Sequence, residues 1–101
     1  MKKLEEALRA AYPQLVLGRC SNDTLLRLYT DRELPNKDSL RVYVQIEKRA
    51  FYRARVNLEN DTGSLSLLLL DDNSAEQILF ATLATLDALN LGPSLPPKKG
   101  S

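Results

Sequence analysis

The sequence predicts an α+β domain: a two-layer sandwich in which an N-terminal helix, an antiparallel meander of three to four strands and a C-terminal helix are arranged with the helices packed on one sheet face. Three observations carry this expectation. Residues 39–47 and 51–59 alternate apolar and polar side chains, the period of a half-buried strand. The stretches 3–12 and 74–90 space their apolar residues three and four apart, the period of an amphipathic helix. Turn-forming residues separate these segments.

The first helix is read from Leu4, Ala7, Leu8 and Ala11, with Glu5 and Glu6 near its positive end and Pro13 forcing Tyr12 out of helical conformation. Residues 14–17 form a candidate short strand before Gly18. Residues 24–31 form a further strand, Leu26 and Leu28 alternating with Leu25, Arg27 and Tyr29, and Leu34-Pro35-Asn36-Lys37-Asp38 is a turn. In the next strand Leu40, Val42, Val44 and Ile46 alternate with Arg41, Tyr43, Gln45 and Glu47. In the one after it, Tyr52, Ala54, Val56 and Leu58 alternate with Phe51, Arg53, Arg55, Asn57 and Glu59.

Antiparallel neighbours share a face, so apolar must meet apolar. With a loop at Lys48-Arg49-Ala50, Ile46 meets Tyr52, Val44 meets Ala54 and Val42 meets Val56. The turn Asn60-Asp61-Thr62-Gly63 leads into a strand over 64–70, with Leu58 against Leu65, Val56 against Leu67 and Ala54 against Leu69. If Asp31 pairs with Ser39, Leu28 meets Val42 and Leu26 meets Val44. Ser74-Ala75-Glu76-Gln77 is a capping box that opens the last helix. Leu79, Leu83, Leu86 and Leu89 form its stripe, and Gly92 is its stop. The expected organisation is one domain over residues 1–92 and a disordered proline-lysine tail over 93–101.

The face turned away from the helices is unusual. By these registers it presents Arg27, Tyr29, Arg41, Tyr43, Arg53 and Arg55, with Phe51, Leu68 and Leu70 among them. Arginine, tyrosine and phenylalanine are enriched at the centres of protein interfaces. The formal net charge is only +1, yet residues 60–91 hold five acids and no lysine or arginine, so the molecule is dipolar.

Enzymatic readings find little support. The chain has no histidine, which removes the commonest general base and metal ligand. Asp71 and Asp72 stand where acids favour a helix start, and Glu59-Asn60-Asp61-Thr62-Gly63 lacks the glutamate and the glycine position of a calcium loop. None of the four glycines builds a phosphate loop. No cofactor, small-molecule substrate or metal is expected. The single cysteine, Cys20, fits a reducing compartment, and no apolar run suits a signal peptide or a membrane span, so the expected location is the cytoplasm. Asn22-Asp23-Thr24 and Asn60-Asp61-Thr62 match the glycosylation pattern but read as turns. Pro93-Ser94-Leu95-Pro96-Pro97-Lys98 matches a P-x-x-P-x-K ligand motif within the tail.

Helix, three strands, helix with Ala81, Ala84 and Ala88 in the last helix resembles double-stranded RNA-binding domains in element order. Those domains grip RNA with lysines at the start of the second helix, where this chain has Asp71-Asp72-Asn73-Ser74, acids that repel phosphate. The order is also similar to that of bacterial secretion chaperones and small phage-encoded inhibitors, without a shared motif. The expected function is that of a small non-enzymatic protein-binding module, an adaptor, inhibitor or chaperone-like regulatory protein. Its partner is a protein, with a second copy of the chain (a homodimer) among the candidates. Nucleic acid on the same arginine-tyrosine face is the alternative, and a solvated face that binds nothing is the third reading.

Overall fold

The computed structural model describes residues 1–33 and 39–89. In chain order the elements are α1 (Lys2–Ala11), β1 (Val16–Leu17), β2 (Leu25–Glu33), β3 (Ser39–Lys48), β4 (Tyr52–Asn60), β5 (Gly63–Asp72) and α2 (Ala75–Ala88). The chain is α+β, and its strands form one antiparallel sheet of five, in sequence order. The strand count exceeds the expected three to four because the short segment before Gly18 pairs as β1, Val16 with Tyr29 and Leu17 with Leu28. Gly18 lets this segment lie close to β2, since a Cβ there would come within 3.1 Å of the Arg27 Cβ. The expected turn at Leu34 to Asp38, the stop at Gly92 and the proline-lysine tail lie outside the described residues.

One core joins the sheet to both helices. Leu26, Leu28, Val42, Val44, Ile46, Ala54 and Val56 are buried with Leu4 and Leu8 of α1, with Tyr12 and Leu15 just after it, and with Ile78 and Leu86 of α2. The second helix packs on β4 and β5 and touches α1. Its buried centre is Ile78, Thr82 and Leu86, and the expected leucines Leu79, Leu83 and Leu89 flank it half-buried. Thr82 is tolerated in the core because its hydroxyl donates to the Ile78 carbonyl at 2.8 Å, leaving no unmade bond. Ser74 caps the helix, accepting from the Gln77 amide at 3.4 Å, a contact of the kind that contributes about 1 kcal/mol. The reciprocal half of the capping box is supplied differently: the Asp72 carboxylate accepts the Ser74 amide at 2.7 Å.

The faces of β2, β3 and β4 are those expected, but both registers differ by two residues. Leu28 meets Val44, Leu26 meets Ile46 and Asp31 meets Arg41. Ile46 meets Ala54, Val44 meets Val56 and Val42 meets Leu58, so the loop is 49–51. A shift of two preserves every side chain's face, so hydrophobic patterning alone does not choose between these registers. The observed one adds the rung Lys48–Tyr52 and the pair Asp31–Arg41.

The last hairpin holds the main correction. Its turn forms as expected: the Asn60 Oδ1 accepts from the amides of Thr62 and Gly63 at 2.9 and 3.1 Å and from the Thr62 hydroxyl at 2.8 Å. Asn22 accepts in the same way from Thr24 and Leu25, so both Asn-Asp-Thr segments are turn caps. Pairing then runs Leu58–Leu65 and Asn57–Ser66 but continues Val56–Leu68, leaving Leu67 as the extra residue of a β-bulge. Leu68 and Leu70 therefore pack against the core instead of standing on the far face, and Leu69, 61% exposed, takes the place expected of them. The physical reason lies at the end of the strand. Unbroken alternation from Leu65 would turn Asp71 toward α2, whereas the bulge turns it to the open side, where it meets Arg53.

Deleting one leucine from the run 67–70 removes the bulge and keeps Asp71 opposite Arg53, so we expect urea unfolding to show a loss below about 1 kcal/mol. Inserting a fifth leucine turns Asp71 toward the core and is expected to cost on the order of 2 kcal/mol or more. Equal effects of the two changes would contradict the bulge.

Candidate functional site

The sheet face turned away from the core is built of rows that run across the strands. One row is Leu25, Glu47, Arg53 and Asp71, and the next is Arg27, Gln45, Arg55 and Leu69. The third is Val16, Tyr29, Tyr43, Asn57 and Ser66, and the fourth is Asp31, Arg41, Glu59 and Ser64. Every residue of these rows is half-buried or exposed as a whole. Six expected site residues, Arg27, Tyr29, Arg41, Tyr43, Arg53 and Arg55, share this face. Phe51 lies at its margin in the β3–β4 turn, 39% exposed, with the Arg53 guanidinium 5.9 Å from its ring centre. Leu68 and Leu70 lie on the opposite face, for the reason given above.

The outer rows close their arginines on the chain's own acids. Arg41 donates through Nε and Nη2 to the two carboxylate oxygens of Asp31 at 2.6 and 2.8 Å. Arg53 grips Asp71 in the same bidentate way at 2.7 and 2.9 Å, and Arg49 in the adjoining loop pairs with Glu47 at 2.9 Å. The planar fork of arginine suits such pairs and still leaves the guanidinium face available for stacking. Arg41 uses that face, lying 4.4 Å from the Tyr29 ring centre and 5.8 Å from that of Tyr43. The two tyrosines are themselves 6.0 Å apart at 47°. Acid, arginine and aromatic rings thus hold one another in a flat cluster across β2 and β3.

The Arg41 and Arg53 hydrogen bonds hold Asp31 and Asp71 below the ordinary aspartate value of 3.8, and the same contacts raise both arginines above their already high range. Both pairs are exposed, where such contacts contribute little singly. Their effect is to fix side-chain geometry and to cancel charge.

The second row is different. Arg27 donates through Nε to the neutral Gln45 Oε1 at 3.1 Å, and among the described residues neither Arg27 nor Arg55 makes an ion pair. Both line a depression of about 330 Å³ with Tyr43, Gln45, Asn57 and Glu59. The Asn57 Oδ1 is buried there without a hydrogen-bond partner. Asn57 and Glu59 were visible as outward positions of the alternation, but nothing in the sequence marked them as lining a depression. Leu69 was hidden by the bulge and Val16 by the brevity of β1. Outside this face, Leu65 and Phe80 are 59% and 71% exposed.

Among the described residues no group of three or more cysteine, aspartate or glutamate side chains is placed to hold a metal ion, and no helix is long and apolar enough to cross a membrane. No protein-family model matches the chain, and comparison with curated proteins and with solved structures finds no match.

The lowered aspartates imply a pH dependence. Each binds a proton less readily folded than unfolded, so its stabilisation is complete above the ordinary value of 3.8 and is lost as pH falls through the lower folded value. We expect unfolding in urea to move to lower denaturant between about pH 5 and about pH 2, and Asp31→Asn with Asp71→Asn to flatten part of that slope. An unchanged slope in the double variant would mean that the pairs do not form in solution.

Proposed function

We propose that this chain, read as a two-layer sandwich with both helices on one sheet face, is a small non-enzymatic protein-binding module of the cytoplasm. Adaptor, inhibitor and chaperone-like roles all fit this reading. It acts through the open face, with Arg27, Tyr29, Arg41, Tyr43, Arg53 and Arg55 as contact residues and Phe51 at the rim. The observation that carries the reading is the pairing of Arg41 with Asp31 against Tyr29 and Tyr43, and of Arg53 with Asp71 near Phe51. Such a surface is flat, amphipathic and ordered before a partner arrives, so little side-chain entropy remains to be lost on binding. Its outer rows carry carboxylates as well as guanidiniums, which suits a protein surface of mixed charge and disfavours a polyphosphate strand. The absence of histidine anywhere in the chain and the exposed lone Cys20 accord with a binding role and a reducing compartment.

Nucleic acid is the second reading, favoured by one observation: among the described residues Arg27 and Arg55 make no ion pair, and they line one depression with Tyr43 and Glu59. It predicts affinity that falls steeply with salt through counterion release.

The test is co-purification of tagged wild type and of a Tyr43→Ala, Arg55→Glu variant from the source cells, after circular dichroism has shown that the variant folds. A protein, either foreign or an untagged second copy, retained by wild type through nuclease treatment and released by the variant is the expected result. Retention that the variant preserves, or that nuclease abolishes, would overturn the protein-binding reading.

A further inference from the structure

Resting on the reading of the open face as a protein interface, we infer that the row Arg27, Gln45 and Arg55 is the seat of one acidic side chain, a glutamate or aspartate of the partner. Adjacent strands lie about 4.8 Å apart, so Arg27 on β2 and Arg55 on β4 stand roughly 10 Å apart across β3, within reach of each other over Gln45. The Arg27 Nε is held by Gln45 at 3.1 Å, and its two terminal nitrogens make no ion pair among the described residues. Arg55 makes no hydrogen bond or ion pair among the described residues, so its fork is available to a carboxylate. Two guanidiniums with only a neutral amide between them form the one row of this face whose positive charge is not cancelled.

The surroundings decide the size and kind of anion. Glu47 and Asp71 bound the row on one side; on the other, Asp31 and Glu59 stand two rows away, roughly 13 Å along the strands at the backbone, Glu59 lining the same depression as Arg27 and Arg55 but pairing with neither. A strand of nucleic acid, with a phosphate in every nucleotide, meets those carboxylates whichever way it runs along the strands. A single carboxylate fits between them. Asn57 adds a second element: its Oδ1 has no partner, so a turn of its amide toward an arriving backbone N–H gains a hydrogen bond and gives none up. A peptide supplies both the carboxylate and that N–H, whereas a phosphodiester supplies no donor.

The experiment uses the full chain labelled for arginine and asparagine side-chain NMR, titrated at constant ionic strength with a blocked tetraglutamate peptide, with an oligothymidylate of eight nucleotides and with inorganic phosphate. The expected result is saturable movement of the Arg27 and Arg55 Nε–H signals and of the Asn57 amide with the peptide, the Arg41 and Arg53 signals staying in place. The apparent affinity for the peptide should exceed that for either phosphate probe at least tenfold, and Arg27→Gln with Arg55→Gln should abolish the response. Parallel movement of all four arginines would reduce the effect to screening and overturn the assignment, as would tighter binding of the oligonucleotide or no saturation at all. If the peptide fails while Tyr43-dependent retention of a protein persists, the carboxylate seat falls and the interface stands; loss of both removes the interface as well.

Discussion

The arrangement of this molecule depends on one extra residue in one strand. β5 must satisfy two demands that strict alternation cannot meet together: leucines under α2, and Asp71 on the side away from it. The bulge at Leu67 resolves the conflict by shifting the second half of the strand by one position relative to the first. Leu68 and Leu70 then close the core over Val56 and Ala54, and Asp71 reaches Arg53. The same device places Leu69 beside Arg55 on the arginine-tyrosine face.

From that sorting follows the character of the open face. Its outer rows are closed by bidentate pairs, each too exposed to add much stability, yet together they cancel charge and hold the guanidiniums flat. Arg41 lies against Tyr29 and near Tyr43, so the aromatic rings and the ion pair set each other's positions. Between the closed rows remains Arg27, Gln45 and Arg55, and the charge left over there is local, about two units in a single row. The proposed interface would therefore bind by fit, with the inferred carboxylate seat as its electrostatic anchor, rather than by bulk attraction.

Much of this was legible in the residues. The period-two alternation of residues 40–47 and 51–59 marks the buried and open faces of β3 and β4, and Arg27, Tyr29, Arg41, Tyr43, Arg53 and Arg55 all fall on the side it indicates. What alternation cannot set is the absolute register, because a shift of two residues leaves every face unchanged. For that reason the pairing of Asp31 with Arg41, which depends on register, stayed hidden although both residues were in view. The run Leu67 to Leu70 carries no alternation at all, so it gives no sign of where the bulge falls, and strict alternation from Leu65 puts Leu68 and Leu70 on the wrong face. Thr82 escaped notice in α2 because its hydroxyl is satisfied by its own helix, a bond that composition does not reveal.

The central claim is the sorting of the β5 leucines between two faces, since the open face has its composition only if that sorting is right. It is tested most directly by leucine-methyl NMR in the presence of a neutral gadolinium chelate, which broadens signals near solvent. Strong broadening is expected for Leu65, Leu67 and Leu69, and protection for Leu68 and Leu70. Protection of Leu67 and Leu69 with broadening of Leu68 and Leu70 would contradict it, restoring an unbroken ladder, placing Asp71 on the helix side and leaving Arg53 without its partner.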